Sequence, residues 1–447
     1  MTDSQETTEK LPGTVYVAGD ELGTCRYEFT YDTYDTNSME IVLLGPPEGM
    51  PQGPDMPEVK VVTEFSWGRY EISLNRELAG GFRLDMKESR YTAPVTEFVK
   101  TQHFDDEEEP ATISCGYLFP LTTVTDCSVF TSRHGKHGYV RGKYDEEREV
   151  FEPREDSFGI DSRVGELTVT DEFDFYDAGS NLYPETHLVR RSVAGVEREL
   201  GEGERVEDGL EAIRDSIYDL FQILSLVERT RINWHTERLV VRSSSDNLIE
   251  ERKRYRWTPA PHSGYRPNRN EIRERRSTVK KVAEAYRDLE AEEQVEVDTV
   301  IDNFKTANTA RTIETKFIHW HSCLDFFKPL FLKGLPEGEK NRVNNNMSFS
   351  MQLVFLFDRA NVSIDDLIPA ETIENIRKAI EGEGKAPDLP FTSIRNEYIH
   401  EGFHSFRDRE REAIDLTRKM RALAERLLLS YLDLDPTSTS LGEPSLY

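Results

Sequence analysis

The sequence predicts an α+β protein: a β-rich N-terminal domain, sandwich or barrel-like, followed by an all-α helical bundle. Three observations carry that prediction. Short apolar runs alternate with polar residues as far as about residue 177, the hydrophobic period turns helical near residue 208, and nearly everything after residue 297 keeps that period. The expected divisions are 1–200 for the β-rich domain, 201–296 for a helical and basic connecting region, 297–435 for the bundle, and 436–447 for a flexible tail.

Strand patterning stands out at residues 14–18, 39–44, 59–65, 70–74, 81–86, 112–115 and 167–175, where β-branched and aromatic residues recur in short runs or at every second position. Turn formers separate these runs, notably the Gly- and Pro-rich stretch 45–54 and the acidic stretch 105–110. Asp208-Gly-Leu-Glu211 then has the form of a capping box, and Leu210, Ile213, Ile217, Leu220, Phe221 and Leu224 follow at helical spacing. A strand is expected at 239–242. Basic residues cluster after it, followed by a Pro/Gly/Asn stretch to Asn270 and a second basic run at 273–281. Helices are predicted at 309–332, 349–359, 372–381, 391–401 and 407–432, with breaks at Gly334, Pro369, the 382–390 loop and Gly402. That spacing suits a bundle of four or five helices. The last helix carries Ile414, Leu416, Met420, Leu423, Leu427 and Leu432 broadly on one side, as a core stripe or a dimer seam.

Of 447 residues, 37% are hydrophobic and 10% aromatic, enough for real cores and unlike a disordered chain. Acidic residues number 84 against 56 basic ones, for a net charge of −28, and only 17 of the basic residues are Lys against 39 Arg. Such a balance opposes general affinity for nucleic acid or anionic membranes and suits a salt-rich cytoplasm, as in a halophilic archaeon. Residues 238–281 depart from it, with 13 basic against 5 acidic side chains. Cys25, Cys115, Cys127 and Cys323 form no C-x-x-C pair, which fits reduced thiols in a cytoplasmic protein better than a zinc ribbon or a disulfide scaffold. No run approaches the roughly 20 apolar residues of a membrane span. P-loop, G-x-G-x-x-G, H-E-x-x-H and G-x-S-x-G motifs are all missing, which removes the usual support for NTPase, dinucleotide, zincin and α/β-hydrolase chemistry.

The most informative stretch is Ser393-Ile-Arg395-Asn396-Glu-Tyr-Ile-His400-Glu-Gly402, an Arg-x-x-x-x-His spacing on a predicted helix. In this all-helical setting, behind a β-rich domain, it resembles the HEPN domains, and its wording is similar to their ApeA-like branch. The resemblance covers roughly residues 297–434. It implies a metal-independent endoribonuclease of prokaryotic antiphage defence, acting as a homodimer on an RNA substrate, answering a phage-derived trigger and needing neither metal nor cofactor. Arg395 and His400 would be catalytic, with Asn396 bonding the phosphate or orienting His400.

The chemistry agrees with that assignment. Cleavage by the 2′-hydroxyl needs a proton-transfer group, which an imidazole with an ordinary pKa near ~6.5 supplies, and a fixed cation for the phosphorane charge, which a guanidinium supplies. It leaves a 2′,3′-cyclic phosphate. Positions five apart on an ideal helix diverge by about 140°, so a helix end at Gly402 or a second copy of the chain must bring the groups together. His404 is a more distant rival base. Against this stands a plain amphipathic helix in which Arg395 pairs with Glu397 or a neighbour and His400 is a satisfied surface residue.

Other stretches carry weaker signals. His321 and Asp325, four apart on the predicted helix at 309–332, would line the cleft as supporting groups or make an exposed pair. His319 and His321 diverge by about 200° on a helix, so no metal is expected there. Arg252, Lys253, Arg254, Tyr255, Arg256 and Trp257 combine cations with flat rings, as single-stranded RNA binding requires, or else form a solvated loop that neutralises acidic neighbours. Arg133-His134-Gly-Lys136-His137-Gly138 reads as a hairpin tip or as a phosphate or metal loop. The rival to the ribonuclease is a non-catalytic ligand- or nucleic-acid-binding module whose helical domain only dimerises.

Overall fold

A computed structural model describes residues 7–31, 39–51, 57–74, 83–85, 90–104, 108–119, 142–145, 150–153, 157–180, 183–257, 269–401, 409–436, 439 and 441–442. Two units emerge, Met1–Tyr218 with Asn233–Pro261, and Asp219–Ile232 with His262–Tyr447. The predicted α+β order holds: an antiparallel sheet comes first and a helical domain follows.

The first unit contains β1 (Thr7–Val17), β2 (Asp20–Tyr31), β3 (Glu40–Leu44), β4 (Val59–Phe65), β5 (Gly68–Leu74), β6 (Arg83–Asp85), β7 (Arg90–His103) and β8 (Pro110–Phe119). It continues with β9 (Gly142–Asp145), β10 (Val150–Pro153), β11 (Phe158–Ser162), β12 (Gly165–Ser180), β13 (Tyr183–Glu199), the helix α1 (Val206–Val227) as far as Tyr218, β14 (Thr236–Ser243) and β15 (Leu248–Arg256). The main sheet runs β11-β12-β13-β8-β14-β15-β7-β3-β2-β1-β4-β5, and β5 also pairs with β7. That extra pairing closes β7, β3, β2, β1, β4 and β5 into a ring, so the choice between sandwich and barrel falls to a small barrel in this part. Its interior is filled by Val15, Tyr27, Phe29, Ile41, Val61, Ile72, Tyr91 and Phe98, contributed at every second position as the pleat requires. Gly68 makes the closure possible, because a Cβ there would lie 2.0 Å from the Thr101 carbonyl oxygen on β7.

Two boundaries move. The region expected to connect the domains supplies β14 and β15, which lie between β8 and β7 in the sheet, so the strand unit extends well beyond residue 200. The capping box is not the start of α1. Its first turn already includes Asp208, whose carboxylate is gripped by Arg205 at 2.9 and 2.6 Å. At Gly209 a Cβ would meet Leu200 and Ile113 at 2.7 and 2.9 Å, so the missing side chain lets the helix approach β8 closely.

The second unit contains α2 (Arg269–Arg287), α3 (Ala291–Thr309), α4 (Ile313–Asp325), α5 (Phe327–Leu332), α6 (Glu337–Asn346), α7 (Phe349–Arg359), α8 (Ala370–Ile380), α9 (Pro390–Glu401) and α10 (Glu410–Tyr431). The helix expected at 309–332 is two. Thr312 caps α4 by accepting a hydrogen bond from the Thr315 amide, and Phe326 separates α4 from α5. The remaining expected helices recur as α7, α8, α9 and α10, within three residues at each end. Leu416, Met420, Leu423 and Leu427 of α10 are buried, and α10 packs on α4, α5 and α9, so the stripe is core and not a dimer seam. The end of the chain is tied at two residues of the expected flexible tail. Leu441 is buried, and the Gly442 amide donates to Glu425 at 2.8 Å. Among the described residues no helix is long and apolar enough to cross a membrane.

Candidate functional site

Arg395 and Asn396 lie on α9, which packs against α4 and α10. Apolar residues place the helix: Phe391 and Ile394 are buried, while Arg395, Asn396 and Glu397 are half-buried. The Arg395 guanidinium donates from Nη1 to Asn396 Oδ1 at 3.3 Å. Glu397 does not take it. Its carboxylate accepts from Arg409 at 2.7 Å and from Ser393 at 3.4 Å, and Arg409 also grips Glu412. Among the described residues Arg395 therefore bonds its neighbour Asn396 and not Glu397, a pairing that a plain amphipathic helix also allows. The helix continues through Glu401, so positions 395 and 400 share one regular helix, about 140° apart around it and about 7.5 Å along it. His400 lies on that helix by its backbone. Gly402, the expected helix end, and the rival base His404 lie outside the described residues.

His321 faces this region from α4. It is only 6% exposed, its ring stacks on Phe349 at 4.4 Å between centroids, and Phe391 of α9 meets it edge-on at 6.2 Å. Among the described residues its buried Nε2 has no hydrogen-bond partner, nor has the hydroxyl of Thr392 one turn before Arg395. Burial, followed by the nearby Arg395 cation, pushes the imidazole pKa down to about 4, so the ring is neutral near pH 7. The expected exposed pair with Asp325 does not form. Asp325 bonds Lys328 instead, at 2.6 Å, and Lys328 sits over the Phe349 ring at 5.2 Å. Sequence reasoning missed Phe349 and Thr392. Thr392 was in principle legible from its i, i+3 spacing to Arg395, whereas Phe349 comes from a distant helix and has no local signal.

The basic stretch 252–257 needs the largest correction. It is neither a solvated loop nor a stacking platform but β15 and the residue after it, inside the sheet. Tyr255 belongs to the barrel core, stacking on Phe98, and Trp257 packs against the same core. Arg252 bonds Glu207 and Glu250 at 2.8 Å, Lys253 bonds Glu251 at 2.8 Å, Arg254 lies 3.8 Å from Glu97 and 3.9 Å from Glu237, and Arg256 sits over Trp234. Neutralising acidic neighbours is what these cations do. Behind them Glu237, 1% exposed, is held by Arg214 of α1 through two hydrogen bonds of 2.8 and 2.6 Å. Burial alone would raise the Glu237 pKa, but Arg214 outweighs it and keeps the carboxyl below the usual carboxylate range.

Cys25, Cys115 and Cys323 are buried free thiols, pushed up by that burial to about 11, 12 and 12, which makes them poor nucleophiles. Cys127 and the Arg133–Gly138 loop lie outside the described residues. Among the described residues no three His, Cys, Asp or Glu side chains gather as a metal site. A shallow cleft of about 550 Å³ lies between α8 and the loop before α9, lined by Lys378, Lys385 and Asp388 among others, but Arg395 is not part of its wall. No family model, no curated protein and no solved structure matches this chain. The functional reading therefore rests on residues and geometry.

Proposed function

We propose that the protein is a metal-independent endoribonuclease of the HEPN type, similar to the ApeA-like branch, serving antiphage defence. One observation carries the reading: Arg395 is half-buried on α9 and, among the described residues, hydrogen-bonds only to its neighbour Asn396, while the nearby carboxylate Glu397 is committed to Arg409. A fixed cation with no carboxylate partner among the described residues is suited to a phosphorane.

In the proposed reaction the 2′-oxygen attacks phosphorus, the P–O5′ bond breaks, and the products are a 2′,3′-cyclic phosphate and a 5′-hydroxyl. Arg395 stabilises the charge on the non-bridging oxygens. His400 moves the proton, either from the attacking 2′-hydroxyl or to the departing 5′-oxygen. Asn396 orients Arg395. His321, neutral above its lowered pKa, keeps a second positive charge away from that guanidinium. Because positions 395 and 400 diverge by about 140° on an unbroken helix, the Arg of one copy and the His of another make the complete centre in a homodimer. The strand unit receives the phage-derived trigger, and the protein acts in the cytoplasm.

The test is phage challenge of cells carrying the wild-type chain or His400→Ala, with sequencing of RNA ends that bear cyclic phosphate. Protection with new ends in the wild type alone is the expected result. Protection by both proteins without new ends would overturn the reading in favour of a binding module.

A further inference from the structure

One rim of the barrel carries two charges where the pleat calls for apolar side chains. On β1, Leu11 and Glu9 lie opposite Tyr27 and Phe29 of β2, so Glu9 stands on the face that Val15 and Leu11 turn to the core. On β7, Lys100 lies opposite Tyr70 of β5, one pleat beyond the pair of Phe98 and Ile72, and those three neighbours all belong to the same core. Glu9 and Lys100 are half-buried. The Tyr31 hydroxyl donates to Glu9 Oε1 at 3.4 Å, and Tyr70 has the same carboxylate beside it, which adds to burial in pushing that tyrosine up to about 12. Lys100 Nζ stands 5.4 Å from the centre of the Tyr70 ring and 5.7 Å from that of Trp67. Tyr70 thus neighbours both charges. Among the described residues Glu9 meets hydroxyls, Lys100 meets rings, and neither is joined to an opposite charge. A carboxylate offers several acceptor positions and an ammonium several donors, and one long hydrogen bond and two rings leave most of them open. Aromatic side chains line the place. Tyr31, Phe98 and Tyr255 pack on one another at 5.1 to 6.1 Å between centroids, and Tyr70 meets Phe98 edge-on at 5.4 Å. Trp67, in the turn between β4 and β5 and 37% exposed, stacks on Phe65 and brings the cluster to the surface.

We infer that this rim binds a small zwitterion with a flat apolar body, of the class of the aromatic α-amino acids: Glu9 takes its ammonium, Lys100 its carboxylate, and the aromatic rim its side chain. A lone cation is attracted by Glu9 but repelled by Lys100, and a lone anion the reverse, whereas a molecule carrying both charges satisfies each at once. A neutral saccharide could use the rings but has no charge to offer either residue. The mouth of a barrel, where a few convergent polar groups stand over an apolar lining, is a common seat for ligands of this size. The inference stands on the strand unit alone and does not depend on the ribonuclease reading.

The experiment is calorimetric titration of the full chain with L-phenylalanine, alongside phenethylamine, which lacks the carboxylate, and hydrocinnamate, which lacks the ammonium. Saturable binding of L-phenylalanine is expected, with each single-charge probe weaker by at least about tenfold, the fold-change that loss of one charge-assisted hydrogen bond brings. Glu9→Gln and Lys100→Gln should each weaken L-phenylalanine to a similar degree, and their effects on the other probes should separate. Glu9→Gln should cost phenethylamine its binding and spare hydrocinnamate, and Lys100→Gln should do the opposite. A Gln at position 9 can still accept from Tyr31, so the rim keeps that hydrogen bond. Should either variant fail to fold by circular dichroism, the ranking of the three probes on the wild-type chain decides. No saturable binding of L-phenylalanine up to about 10 mM would overturn the inference. So would equal affinity for all three probes, or an affinity that both substitutions leave unchanged.

Discussion

β15 and α9 both carry arginine, in opposite circumstances. On β15 Arg252, Lys253 and Arg254 each have a carboxylate within 3.9 Å and Arg256 has the Trp234 ring, so the charge density that drew attention in the sequence is neutralised by neighbours within the strand unit. On α9 a single Arg395 meets a neutral amide, while the carboxylate two residues on serves another arginine. Density of cations marks structure in the first case. In the proposed reading, availability of one cation marks chemistry in the second.

The sharpest way to break this contrast on the structural side is Glu237→Gln. It leaves the half-buried Arg214 without the carboxylate that holds it and should destabilise the protein by about 1–3 kcal/mol in urea unfolding, as loss of a charge-assisted pair with one buried partner does. A loss under about 1 kcal/mol would mean that the cations around Glu237 are not committed to structure. On the α9 side, His321 contributes a pH dependence of definite sign. Its pKa falls from an ordinary 6.5 to about 4 on folding, through burial first and Arg395 second, with Asp325 opposing and Lys328 adding to the effect. Between those values the unfolded chain takes up a proton that the folded chain does not. Stability therefore falls as pH drops through that window, by about 3 kcal/mol at its foot, and is unaffected by this group above pH 6.5. In His321→Phe that part of the slope should vanish; an unchanged difference in stability between pH 7 and pH 4.5 would refute the placement of the ring. The smallest effect is expected for Lys253→Gln, an exposed pair on β15, with a shift within about 0.5 kcal/mol. A larger cost would show that surface pairs on this strand matter more than their exposure implies.

The α+β order, most helices and eight of the strand positions were legible because hydrophobic period reports which face of an element is buried. Legibility ended where burial is achieved by residues that do not look apolar. β2 fills the barrel with Cys25, Tyr27, Phe29 and Tyr31 amid charged neighbours, and β7 carries Pro94 within its length. β15 reads as a basic island because its cations are paid for by carboxylates on other segments, Glu97 on β7 and Glu207 on α1, which no local window contains. At the candidate site the spacing of Arg395 and His400 was visible along the chain, and so was the choice of Glu397 as a suspected partner. That Arg409 takes Glu397 instead was not visible, since it depends on how α10 meets α9.

The central claim is that Arg395, and not the basic strand, does the chemistry. Its most direct test is the yield of RNA ends bearing cyclic phosphate in phage-challenged cells expressing full-length Arg395→Ala or Lys253→Gln at equal levels. The account predicts a fall of about 100- to 1000-fold for Arg395→Ala, the usual consequence of removing a group that stabilises transition-state charge, and wild-type yield for Lys253→Gln. Wild-type yield from Arg395→Ala, or an equal loss from Lys253→Gln, would contradict it.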